Sequence, residues 1–143
     1  MIRDKLIPLL QQRFGAGSFT RGTDPKLIVS FPSAHAEVGE LKILDDGNEV
    51  IVEIGEITHG HFGSMKETAT QEADQEVAEN VVDFIEDLFA GKYILWRTKK
   101  RFAGGWKHVD FPSESNRMPN VEIDAIYFTW SGPLDAGKES RVP

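Results

Sequence analysis

Apolar positions recur along this chain with two periods, and the switch between them divides it into elements. Over Asp4 to Phe14, Leu6, Leu10 and Phe14 stand four apart with Leu9 beside them and Gly15 just beyond. That spacing predicts a short amphipathic helix closed by a left-handed C-cap. Pro8 falls inside it, near enough to the first turn that its missing N–H costs little. Gly15, Gly17, Gly22 and Pro25 then mark an irregular connection. Leu27, Val29 and Phe31 alternate with Ile28 and Ser30, the period of a strand, and Pro32 ends it because proline cannot donate to a ladder.

Leu41 and Ile43 alternate with Glu40 and Lys42 before Asp45-Asp46-Gly47-Asn48, and Val50, Val52 and Ile54 alternate with Ile51 and Glu53 after it. Asp-Gly between two such runs predicts an antiparallel hairpin, since the tight turn needs positive φ at its centre. Between Glu72 and Phe89 the period lengthens to about 3.6, with Ala73, Val77, Val81, Phe84 and Leu88 in one stripe, Thr70 or Gln71 placed to cap the start and Gly91 to end the helix. Three strand-like runs follow, Tyr93 to Thr98, Trp106 to Phe111 and Val121 to Trp130, the first two joined by a loop containing Gly104-Gly105. The expected fold is a single α+β domain over residues 1–132 with a mainly antiparallel sheet. Its order is helix, three strands, helix, three strands, with the long helix packed on the sheet. A loose tail is expected over 133–143.

Composition narrows the function classes. The 143 residues carry 16 Lys and Arg against 23 Asp and Glu, a net charge of −7, and no cysteine. Disulfides, cysteine-based zinc knuckles, thiol nucleophiles and iron–sulfur clusters are therefore excluded. No apolar run approaches the ~20 residues that cross a bilayer, and the N-terminus lacks a signal peptide's apolar region. No membrane partner and a cytoplasmic location are expected. The acidic total also disfavours nucleic acid as the main partner.

The charge is segregated. Residues 67–91 hold eight acids and no Lys or Arg, whereas 92–109 hold six bases and no acid. The bland expectation is a solvated helix face and an exposed hairpin. The functional one makes Arg97, Lys99, Lys100, Arg101, Trp106 and Lys107 a binding surface, for an acidic protein or for single-stranded nucleic acid whose bases stack on rings. Trp96 shares a face with Ile94 opposite Arg97, which predicts a core position for it.

The third feature is Ile57-Thr58-His59-Gly60-His61-Phe62. On an extended backbone His59 and His61 point the same way, about 6.5 Å apart, so both can face one metal such as zinc given a further ligand. If the strand runs unbroken from Val50, Glu53 joins them on that face, and Glu53, Glu56 and Glu67 are the carboxylates nearby in sequence; a bulge at Gly55 would swap the register. The spacing resembles the His-x-His of cupin metal sites, where a Glu follows three or four residues on; here five residues separate His61 from Glu67. The element order resembles that of restriction-endonuclease-like nucleases, but the strand after the Asp-Gly turn offers Glu53-Ile54-Gly55 without their lysine. Order and acidic balance also resemble small secretion chaperones and bacterial immunity proteins.

The leading expectation is a non-catalytic protein-binding module that grips a partner or self-associates, with fourteen aromatics and separated charge in a small chain. The alternative is a small metal-dependent hydrolase with His59 and His61 as ligands or general base, assisted by Glu53 or Glu56. The third is single-stranded nucleic-acid binding through the 92–109 hairpin.

Overall fold

Helix α1 (Ile2–Phe14) begins two residues before the predicted start because Ile2 is buried with Leu6, Ile7 and Leu10. Pro8 therefore lies beyond the first turn, on the exposed side, where the helix forgoes one hydrogen bond without burying an orphan group. The Gly15 N–H closes the helix on the Gln11 carbonyl at 2.9 Å. The computed structural model describes residues 2–47, 49–63, 71–100, 103–111, 115 and 124–134.

Five strands follow as an antiparallel meander: β1 (Thr20–Arg21), β2 (Leu27–Phe31), β3 (Leu41–Asp45), β4 (Val50–Ile54) and β5 (Thr58–Phe62). β1 is short and exposed, and no alternation announces it. The β3–β4 hairpin forms as predicted, with Asp46 donating its N–H to the Glu49 carbonyl at 3.0 Å, so its turn is centred one residue later than Asp46-Gly47. The run after Val50 does not continue unbroken. Gly55 at φ 51° turns the chain, the Ile57 N–H bonds the Ile54 carbonyl, and β5 returns along β4. The register sets Glu53 opposite His59 and Ile51 opposite His61.

Helix α2 (Gln71–Phe89) buries the predicted stripe, including Val77, Val81, Phe84, Ile85 and Leu88, and exposes Glu72, Glu79, Asp83 and Glu86. Its acid block is thus a solvated face. Gly91 at φ 78° ends it: its N–H bonds the Leu88 carbonyl and the Lys92 N–H reaches back to Asp87, the paired closing bonds of a left-handed cap. Thr70 and Glu67 lie outside the described residues.

The second sheet has the order β7-β6-β8-β9, from β6 (Tyr93–Thr98), β7 (Gly104–His108), β8 (Ala125–Thr129) and β9 (Gly132–Pro133). Gly104 and Gly105 belong to β7 and not to the loop before it. A Cβ on Gly104 would overlap the Ile57 carbonyl, so the missing side chain lets the β4–β5 turn press against the strand. β7 ends at His108 and not at Phe111. β8 occupies the second half of the third run, whose residues 121–123 lie outside the described part. The sheet continues into the expected tail, since Pro133 pairs with Phe128 and the Leu134 N–H bonds the Tyr127 carbonyl; residues 135–143 are not described.

The helices pack on each other, α1 also on β2 and α2 on β5 and, through Phe84, on Tyr93 and Trp106 of the second sheet, giving one α+β core that includes Leu6, Leu10, Ile43, Val52, Ile85, Leu95 and Phe128. The helices are also joined at the surface, where the Arg13 guanidinium meets Glu86 at 2.8 Å and Asp83 at 3.6 Å. The hydrogen bond to Glu86 raises the Arg13 pKa, followed by the nearby negative charges. A raised cation pKa stabilises below the unfolded value and is lost only as pH climbs through the folded one, far above neutrality. The pair is therefore salt-sensitive but not pH-sensitive under ordinary conditions.

Candidate functional site

The two sheets meet where β5 runs beside β7, and the contact is uneven. Near Ile57 the backbones touch at Gly104. Toward the other end the strands are separated by a side chain: the Trp106 indole lies over Gly60 so closely that a Cβ there would overlap the ring. Phe84 of α2 closes the space from above, its ring centroid 4.7 Å from Trp106, 4.7 Å from Tyr93 and 5.3 Å from Phe62. These four rings floor a cleft of about 640 Å³ between β5, β7 and α2. Asp83, Glu86 and Asp87, on the outward face of the last turns of α2, form its rim, and His61 stands on the opposite wall.

The rim is anchored through His108, which is 1% exposed. Its Nδ1 accepts the backbone N–H groups of Asp110 and Phe111 at 3.0 and 3.1 Å, which places the ring proton on Nε2, and Nε2 donates to Asp87 Oδ2 at 3.0 Å. Both nitrogens are committed to partners within the fold, so His108 ties the 109–111 turn to α2. Drawing two successive N–H groups onto one side chain also turns residues 109–111 out of the ladder and ends β7. Asp87 takes Lys92 as a further neighbour at 3.9 Å.

The candidate metal pair does come together: the His59 and His61 rings are 5.2 Å apart, edge to face, on the exposed face of β5. His61 Nδ1 bonds Glu49 Oε1 at 2.6 Å, a carboxylate that sequence proximity missed because only the fold-back of β5 brings residue 49 alongside. Among the described residues no group of three His, Asp or Glu is arranged to hold a metal ion. Glu53, opposite His59 in the ladder, shares that face of the sheet as expected, and with Glu56 it also lines a second cleft of about 550 Å³ with Glu37, Glu40, Lys42 and Arg97.

The basic candidates are dispersed. Lys99 pairs with Asp124 at 3.1 Å, Lys100 is exposed beside it, and Arg97 lies over the Phe128 ring while donating to the Thr98 carbonyl. Lys107 is half-buried on the face of β7 opposite Trp106 and bridges to Ser115. Arg101 lies outside the described residues. Trp96 and Trp106 are 2% and 6% exposed, so neither offers a ring face on which a base can stack. Among the described residues no helix is long and apolar enough to cross a membrane. Comparison of the chain with protein-family models, with curated proteins and with solved structures gives no match.

Proposed function

We propose that this chain is a non-catalytic protein-binding module that grips a basic segment of a partner protein in the cleft between β5, β7 and α2. The observation that carries this reading is the rim of three carboxylates, Asp83, Glu86 and Asp87, along a cleft whose floor is apolar, with Phe62 half-buried and Phe84, Tyr93 and Trp106 buried beneath it. Carboxylates attract guanidinium and ammonium groups, and at the edge of an apolar cleft that attraction is screened less than on an open surface. A net charge of −7 makes two copies repel, which favours a basic partner over a second copy.

Arg13 already sits on Asp83 and Glu86 as an internal cation. It neutralises part of the rim and competes with an incoming one. A fluorescent ten-residue Arg- and Lys-rich peptide is expected to bind the protein at low salt, and to bind less as salt rises. Arg13→Ala is expected to tighten that binding about two- to fivefold, the worth of freeing exposed carboxylates, with almost no change in melting temperature. Absence of binding at low salt, or weaker binding by Arg13→Ala, contradicts the proposal. Light scattering in the same buffer is expected to show a monomer; a dimer that dissociates with salt would instead place the Lys99–Lys100 turn of a second copy against the acids.

A further inference from the structure

We propose that His59 and His61 form a surface chelate for a divalent late transition metal, Cu²⁺ ahead of Ni²⁺ and Zn²⁺. The site stands apart from the peptide reading of the cleft, and neither depends on the other. Both imidazoles lie on the exposed face of β5, with ring centroids 5.2 Å apart. Cα atoms two apart on a strand are separated by roughly 6.5 Å, so the two rings converge as they leave the backbone. Convergence of two nitrogen ligands is what a chelate needs.

The strand that carries them is held from both sides. Behind it, the Trp106 indole packs so closely on Gly60 that a Cβ there would overlap the ring, which keeps the two histidines on the opposite face. Alongside it, β4 sets Glu53 opposite His59 and Ile51 opposite His61. His61 Nδ1 lies 2.6 Å from Glu49 Oε1. A carboxylate accepts and does not donate, so Nδ1 carries the proton, and in the neutral ring Nε2 presents its lone pair. A carboxylate on the far nitrogen is the outer-shell partner that metal-binding imidazoles ordinarily have, since it fixes the tautomer and raises the basicity of the ligating nitrogen.

The donor type sets the preference among cations. Mg²⁺ and Ca²⁺ take oxygen ligands, whereas imidazole suits Cu²⁺, Ni²⁺ and Zn²⁺, of which Cu²⁺ binds a given site most tightly. Among the described residues no group of three His, Asp or Glu is arranged to hold a metal ion. Two imidazoles are therefore the protein's ligands and water fills the other positions, an open site and not a closed structural one. Glu49 and Glu53 add negative charge beside the pair, on a chain whose net charge of −7 already favours a cation.

Equilibrium dialysis of the intact protein against Cu²⁺, with pulsed EPR of the bound ion, tests the site. One ion is expected to bind ahead of any other, with two imidazoles in its coordination sphere. Glu49→Gln is expected to keep both imidazoles and to weaken binding about tenfold, the lower end of what loss of an outer-shell carboxylate costs. His59→Gln and His61→Gln change exposed side chains and keep the fold. Each is expected to leave a one-imidazole signal and to weaken binding more than Glu49→Gln does. His35→Gln, on the connection between β2 and β3, is expected to leave Cu²⁺ binding unchanged. A one-imidazole signal from the intact protein, or an affinity that His59→Gln leaves unaltered or that His35→Gln lowers as much, overturns the proposal.

Discussion

Gly60→Val is expected to destabilise the protein by about 3 kcal/mol, at the upper end of what overpacking a core costs, and to abolish peptide binding in the cleft. The new side chain would occupy the volume now filled by the far edge of the Trp106 indole. Trp106 cannot simply swing aside, because Phe84 lies 4.7 Å away on one side and Tyr93 packs edge-on at 6.4 Å. Urea unfolding followed by tryptophan fluorescence measures the loss. Trp106→Leu on its own leaves a cavity and is itself costly, about 3 kcal/mol or more. The double variant is therefore informative. If the ring and the missing Cβ compete for one space, the combined loss is clearly smaller than the two single losses together. Strict additivity would show that Gly60 is needed for some other reason.

His108→Ala is expected to cost about 3 kcal/mol, from a cavity and from three polar groups left without their partner. The Asp110 and Phe111 N–H groups lose their acceptor and Asp87 loses its donor. Asp87→Asn separates these contributions. Because Nε2 carries the proton, an amide oxygen at position 87 still accepts it, and the expected loss is only about 1 kcal/mol, the difference between a charged and a neutral acceptor. An Asp87→Asn loss equal to that of His108→Ala would mean that a neutral acceptor cannot replace the carboxylate at Nε2.

The local signals in the chain proved readable where one interaction range governs. The alternation flanking Asp45 to Asn48 makes the β3–β4 hairpin, and the stripe from Ala73 to Leu88 with Gly91 behind it makes α2, because side-chain periodicity and a glycine cap act over a few residues. The reversal at Gly55 was less legible, since a glycine between apolar residues serves equally as bulge or turn, and the close approach of Val38 and Gly39 that settles it comes from another segment. Gly104 and Gly105 read as loop for the same reason: what Gly104 makes room for is Ile57, nearly fifty positions away. Trp106 stands among basic residues in the sequence, although the alternation Trp106-Lys107-His108 separates an inward Trp106 and His108 from Lys107. The acid block was visible as a solvated helix face. That three of its members border aromatic rings from β5, β6 and β7 depends on three chain segments meeting, which no local pattern encodes.

The claim on which the account turns is that a cation enters the cleft beside Asp83, Glu86 and Asp87. Assigned two-dimensional NMR spectra, recorded while the Arg- and Lys-rich peptide is titrated in at low salt, test it most directly. Saturable shifts are expected at the Trp106 indole N–H, at the ring resonances of Tyr93 and Phe84, and at the amides of residues 83–87 and 60–62. The Trp96 and Trp130 indoles should stay in place. Shifts confined to the second cleft around Glu40 and Glu53, or spread evenly over the acidic surface with Trp106 unmoved, would contradict it.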